Sequence, residues 1–129
     1  MGFNELYQSA DWKKEKHSPV IEIKGKITKG AAVEVNLSVG KEIPHPNTTE
    51  HFIAWIDAYF LPKGEKFPVQ LGKFEFNSHG ASGTGANSST IYTDPEVTFN
   101  FKTEKAGTLH ASSYCNIHGL WQNSLEIEF

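Results

Sequence analysis

A single cysteine, Cys115, is present in the chain. That excludes an intrachain disulfide and suits a reducing compartment. Basic excess is missing too: 12 lysine and arginine residues against 15 acidic ones give a formal net charge of −3. Nucleic acid is therefore a poor main partner, since phosphate recognition needs a clearly basic patch. No run approaches the roughly 18 apolar residues of a membrane span. The opening stretch MGFNELYQSADWKKEKH lacks the apolar core of a signal peptide. Leu6 stands where a myristoylation signal wants Ser or Thr. These absences predict a cytoplasmic protein with no membrane and no nucleic-acid partner. Asn47-Thr48-Thr49 and Asn87-Ser88-Ser89 fit the glycosylation pattern, which has no meaning in that compartment.

What is there reads as one domain, 1–129, large enough to bury about two thirds of its unfolded surface without disulfides. Apolar residues at 38% and charged residues at 21% are ordinary for a globular protein. The dominant period is two. Val33, Val35, Leu37 and Val39 alternate with Ala32, Glu34, Asn36 and Ser38. Val97, Phe99 and Phe101 alternate with polar neighbours, as do Leu125, Ile127 and Phe129. Each run predicts a strand with one face in the core and one in water. Ile21–Ile23, residues 69–76 and Thr108–Tyr114 are weaker strand candidates. Turn signals at Lys29-Gly30, Val39-Gly40, Pro62-Lys63-Gly64, Asp94-Pro95 and Ala106-Gly107 separate the runs. About seven short strands predict an all-β fold, an immunoglobulin-like antiparallel β-sandwich. A short helical or irregular segment near Phe3–Ser9 precedes it.

Segment 51–60, HFIAWIDAYF, is apolar on both faces. Phe52, Ala54, Ile56, Ala58 and Phe60 form one; Ile53, Trp55 and Tyr59 form the other, with Asp57. Such a strand is either central in a sheet or packed against another subunit. Gly80–Thr90 is a low-complexity loop. It contains Gly83-x-Gly85, but Ser88 occupies the third glycine position of a dinucleotide cradle.

Ligand-type residues concentrate in three places: Glu15-Lys16-His17, the stretch Pro44–His51, and Tyr114–Gly119. Alone, the C-x-x-H of Cys115 and His118 is weak, and a buried inert thiol explains Cys115 equally well. His45 is stiffened by a proline on each side. Asn47-Thr48-Thr49 can turn the chain through side-chain-to-backbone hydrogen bonds, which would bring His51 to the same point. In an extended segment Glu15 and His17 share a face, whereas Lys13 and Lys14 read as a solvated charge run. His110 alternates outward on its strand, and His79 has no partner that the sequence names.

Together the three blocks, E-K-H-S-P, K-E-I-P-H-P-N-T-T-E-H and S-Y-C-N-I-H-G-L-W, resemble the superoxide reductases, also called neelaredoxins or the iron domain of desulfoferrodoxins. The resemblance runs from about Asp11 to Trp121, with G-x-x-E-F at 72–76, S-H-G at 78–80 and Y-T-D-P at 92–95 fitting it too. It implies an immunoglobulin-like sandwich holding one iron (Fe2+/Fe3+) per chain. By that resemblance the imidazoles are His17, His45, His51 and His118, the thiolate is Cys115, and the sixth position is open. Glu15 matches the glutamate that closes this position in the oxidised form, and Lys16 matches the lysine beside it. The implied reaction is one-electron reduction of superoxide to hydrogen peroxide, with rubredoxin or a similar donor restoring the ferrous state. The implied assembly is a homotetramer. Family members often read T-E-H-H where this chain has T-E-H-F; the ligand of that pair is kept as His51, and Phe52 replaces the second histidine. One cysteine leaves no place for the tetracysteine iron domain of desulfoferrodoxins.

Elementary chemistry agrees with that resemblance. Superoxide is a small anion that a nearby cation draws in, and a thiolate opposite an open site pushes electron density toward a bound oxygen. The main rival is a cupredoxin-like electron-transfer protein, also a Greek-key sandwich. Blue copper usually takes two histidines, one cysteine and a weak axial methionine. Here Met1 is the only methionine, and Glu15-Lys16-His17 would have no role. Structural zinc prefers four tetrahedral ligands, fewer than the five available. A metal-free binding module leaves the clustered ligands unexplained.

Overall fold

The computed structural model describes all residues, 1–129. A 3-10 turn over Phe3–Leu6 precedes seven strands: β1 (Val20–Lys24), β2 (Ala32–Ser38), β3 (Ile53–Pro62), β4 (Val69–Glu75), β5 (Glu96–Lys102), β6 (Gly107–Cys115) and β7 (Gly119–Ile127). They form two antiparallel sheets, β1-β2-β5 and β4-β3-β6-β7. The all-β sandwich read from the alternation is what the chain forms, and the three weaker candidates are β1, β4 and β6.

The core lies between the sheets. Val33, Val35 and Leu37 of β2 face Ile56, Ala58 and Phe60 of β3, with Leu109 and Ala111 of β6 and Ile127 of β7. Leu37, Ile56, Leu109 and Ile127 are fully buried, each contributing about 1.5–3 kcal/mol. Two aromatic pairs, Phe60–Phe101 and Phe74–Phe99, cross from sheet to sheet with centroids 5.3 Å apart. β3 is apolar on both faces because it is central, paired with β4 and β6.

Three details depart from simple alternation. Ile53 belongs to the core and not to the outer face, because the β3–β6 register shifts between Ile53 and Trp55; a bulge there turns its side chain inward. Of Leu125, Ile127 and Phe129 only Ile127 is buried, since β7 is an edge strand that ends at Ile127. Asn36 and Ser38, expected in water, are both 6% exposed.

The outer face of the larger sheet carries Trp55, Asp57, Tyr59 and Leu61 of β3 beside Tyr114, Ser112 and His110 of β6. Gln8 bridges to Trp121 through backbone hydrogen bonds to Leu120 and Gln122 and lays the N-terminal segment along this face. Tyr7 thereby approaches Asp57; its hydroxyl is pushed up by burial, with Asp57 and Tyr59 adding to the effect.

Candidate metal centre

The three ligand blocks sit in the bent lead into β1, in the β2–β3 connection and at the β6–β7 turn. His17 is 5% exposed. Glu15 folds back onto it: one carboxylate oxygen is 2.5 Å from His17 Nδ1, and the other accepts the His17 backbone N–H at 2.7 Å. A carboxylate accepts, so Nδ1 carries the proton and Nε2 presents a lone pair. Burial opposes ionisation of Glu15, but the hydrogen bonds from His17 outweigh it and hold the carboxyl below its usual range. Trp121 stacks on the His17 ring, with centroids 5.0 Å apart and planes at 14°. Its Nε1 donates to His118 O at 3.2 Å.

His45 lies in the loop fixed by Pro44 and Pro46. Its Nδ1 donates to Pro46 O at 2.6 Å, leaving Nε2 turned inward. Burial lowers its pKa to about 4, with the Pro46 carbonyl opposing and the charges of His17, His51 and Lys16 adding to the fall. Gly40 makes this approach possible. Its φ is +86°, and a Cβ there would stand 2.7 Å from His45 N.

The chain then turns as its side chains predict. His51 N–H meets Thr48 Oγ1 at 3.1 Å, and Thr48 N–H donates to His51 O at 2.9 Å. This brings the rings of His45 and His51 to 4.6 Å. Burial lowers the His51 pKa, followed by His118, His17 and Lys16.

Cys115 ends β6, fully buried, and Gly119 at φ +81° opens β7. In the turn between them His118 N–H points at Cys115 Sγ, 3.3 Å away, and His118 Nδ1 lies 3.8 Å from that sulfur. The same Nδ1 is 3.1 Å from His17 Nε2.

One donor atom each from His17, His45, His51 and Cys115 lie within 4.8 Å of one another. His118 closes the group through its contacts with His17 and Cys115. Lys16 is half-buried and its charge reaches His45 and His51. His110 lies exposed on β6, as its alternation predicts. His79 lies outside the cluster.

Whether these residues suit a metal is decided by two atoms. His45 Nε2 and His51 Nε2 are buried and have no hydrogen-bond partner. A buried orphan of this kind costs about 1–3 kcal/mol, a cost that a cation bound between the rings removes. Imidazole with thiolate suits iron, copper or zinc. Met1, the one methionine, is 94% exposed at the N-terminus, so no axial thioether of the blue-copper kind is present. The residues fit a metal.

Two contributors carry no signal as ligands. Asn116 binds both flanks of His51, its Oδ1 accepting from Phe52 N–H at 2.9 Å and its Nδ2 donating to Glu50 O at 2.8 Å. It thereby joins the third ligand block to the second. Trp121 covers His17. Both stand inside the quoted S-Y-C-N-I-H-G-L-W block, which was their only trace in the sequence.

Fold and site together define a β-sandwich protein with a clustered histidine and cysteine site that suits a metal. The desulfoferrodoxin family model matches residues 9–124. The superoxide reductase of Pyrococcus furiosus is 54% identical over 125 residues, 97% of this chain and 98% of that one. The neelaredoxin of Megalodesulfovibrio gigas is 51% identical over 120 residues, 93% of this chain and 92% of its own. Among solved structures, the superoxide reductase (neelaredoxin) of Archaeoglobus fulgidus in the reduced form superposes with a TM-score of 0.89 at 59% identity, covering 96% of this chain and 99% of that one. The chain belongs to the desulfoferrodoxin family.

Proposed function

We propose that the chain, acting as one domain over 1–129, is a superoxide reductase. One superoxide, one electron and two protons give one hydrogen peroxide. The observation that carries the reading is the convergence of His17, His45, His51, His118 and Cys115 around unpartnered imidazole nitrogens, in a family with relatives that bear that name. These five residues are the proposed holders of one iron per chain. When bound, the iron supplies the single electron and an open coordination position.

The chain's own residues prepare the rest. Glu15 and Pro46 hold the Nδ1 protons of His17 and His45, fixing the tautomers that turn Nε2 inward. The His118 amide supports the sulfur of Cys115. Lys16 places a cation where its charge reaches His45 and His51, which favours approach of an anion. Glu15 is the proposed carboxylate that would ligate the iron in its ferric state, a hard anionic donor held beside the cluster by its hydrogen bonds to His17.

A rubredoxin-like protein is the proposed donor, the cytoplasm the proposed compartment and a homotetramer the proposed assembly. No helix is long and apolar enough to cross a membrane. For assembly, the outer sheet face offers Trp55, Tyr59 and Leu61. Metal analysis with a turnover assay tests the function. One iron per chain is expected, and superoxide should oxidise the ferrous protein once, after which turnover stops until a donor is added. Sustained donor-free turnover with oxygen evolution means dismutation, and copper in place of iron means an electron carrier; either refutes the proposal.

A further inference from the structure

The loop bearing His45 and His51 is gripped from outside by residues 78–93. The base of that segment is closed by Thr93 N–H on Ser78 O at 2.9 Å and Ser78 N–H on Thr93 Oγ1 at 3.2 Å. Farther out, Asn87 is the only non-glycine residue with positive φ, +56°. Its Oδ1 accepts from Thr49 N–H at 2.8 Å, and its Nδ2 donates to the Glu50 carboxylate at 2.9 Å. Between base and tip lies His79, half-buried.

His79 is aimed in three directions. Its Nε2 stands 2.5 Å from Phe76 O, just past β4. A carbonyl only accepts, so Nε2 carries a ring proton. Its Nδ1 stands 2.8 Å from Asn47 Oδ1, an orientation fixed by Asn47 Nδ2 donating to Thr93 O at 2.9 Å. Both ring nitrogens thus face acceptors, and the ring bonds both at once when each nitrogen carries a proton. The ring lies flat on Phe52, with centroids 3.9 Å apart and planes at 11°. Asn47 is two residues past His45, and Phe52 is one past His51. One side chain thus holds a flank of each ligand, across 32 residues of sequence from Asn47. Filling space would not require both ring nitrogens to be directed.

We propose that His79 is a positioning residue for the metal centre, tying the ligand loop to the end of β4; the proposal rests on the metal reading above. Loss of contacts that orient metal ligands typically costs about ten- to a hundredfold in metal affinity, and the same scale is expected here in the rate of metal loss.

The test compares wild type, H79F and H110A, each loaded anaerobically with ferrous iron and mixed with excess ferrous chelator. H79F keeps the stacked ring and loses both polar contacts. It should release iron about ten- to a hundredfold faster than wild type, while H110A releases at the wild-type rate. Thermal midpoints of the metal-free forms separate positioning from folding, because a residue needed only for folding lowers the midpoint and leaves release unchanged. That result overturns the proposal, as does equal acceleration in H110A. Should H79F not fold, Asn47→Ala decides, since it removes the partner amide and leaves the ring: faster release supports the proposal, and wild-type release overturns it. A wild type that takes up no ferrous iron overturns the metal reading and this inference with it. A wild type that binds iron while H79F keeps it equally well overturns this inference alone.

Discussion

Asp57 puts a carboxylate on a largely covered sheet face, 8% exposed, where burial and charge pull in opposite directions. Burial disfavours the charged form; the Ser112 hydroxyl, which donates to Asp57 Oδ1, and the Lys73 ammonium oppose it. Burial wins, and the folded carboxyl titrates above its ordinary value of about 3.9. In the window between the two values the native state holds a proton that the unfolded chain has released. Stability therefore falls as pH rises through that window. The contribution is fully present below the ordinary value and is lost once pH passes the folded value. The slope cannot exceed about 1.4 kcal/mol per pH unit for one proton. Asp57→Asn abolishes this proton and still offers Ser112 an oxygen. The assay is denaturant unfolding of the metal-free protein, at one chain concentration, from about pH 4 to pH 8. Every other ionisable group is common to the two proteins and cancels in the difference. The variant should gain on wild type as pH rises, by up to about 1.4 kcal/mol per unit, and then level off. A flat difference refutes the reasoning. A drift in favour of wild type means that the Ser112 hydrogen bond and Lys73 together outweigh burial.

Further outcomes follow from the site itself. His118→Ala should abolish tight iron binding while His110→Ala retains one iron per chain, and equal iron content in the two would refute the ligand assignment. Gly40→Ala imposes the left-handed cost of about 1–2 kcal/mol and presses a methyl against His45 N, so unfolding midpoint and iron retention should fall together. Lys16→Ala should slow the second-order reaction with superoxide about five- to a hundredfold, from roughly 1–3 kcal/mol of screened attraction, and weaken its dependence on ionic strength. Lys16→Arg should preserve the rate, and equal slowing by Lys13→Ala would replace a specific residue with a diffuse field.

Alternation made the strands legible, because Val33, Val35 and Leu37 bury one face wherever β2 sits. It misassigned Ile53, since a bulge changes the facing of a residue without changing its type. The three blocks were legible as concentrations of histidine, cysteine and glutamate, but each was weak by chemistry alone, and the donor set followed from the family resemblance of the blocks together. What supports them was not legible. His79 reaches Asn47 across 32 residues and Asn116 reaches Phe52 across 64. Those pairings exist only once both sheets have formed, and no local pattern encodes them.

The donors come from ahead of β1, from the crossing between sheets and from the last hairpin, and His17 meets His118 across 101 residues. A cation held among them is a chemical cross-link. In the chain-entropy account, closing a loop near 100 residues removes roughly 5 kcal/mol of freedom from the unfolded ensemble. Through a metal the single cysteine would then do what an inter-sheet disulfide does elsewhere. Loading and shedding the ion becomes a latch on one end of the sandwich. Amide exchange at that end should quicken when the metal leaves, while the strands packed around Leu37, Ile56 and Leu109 keep their protection.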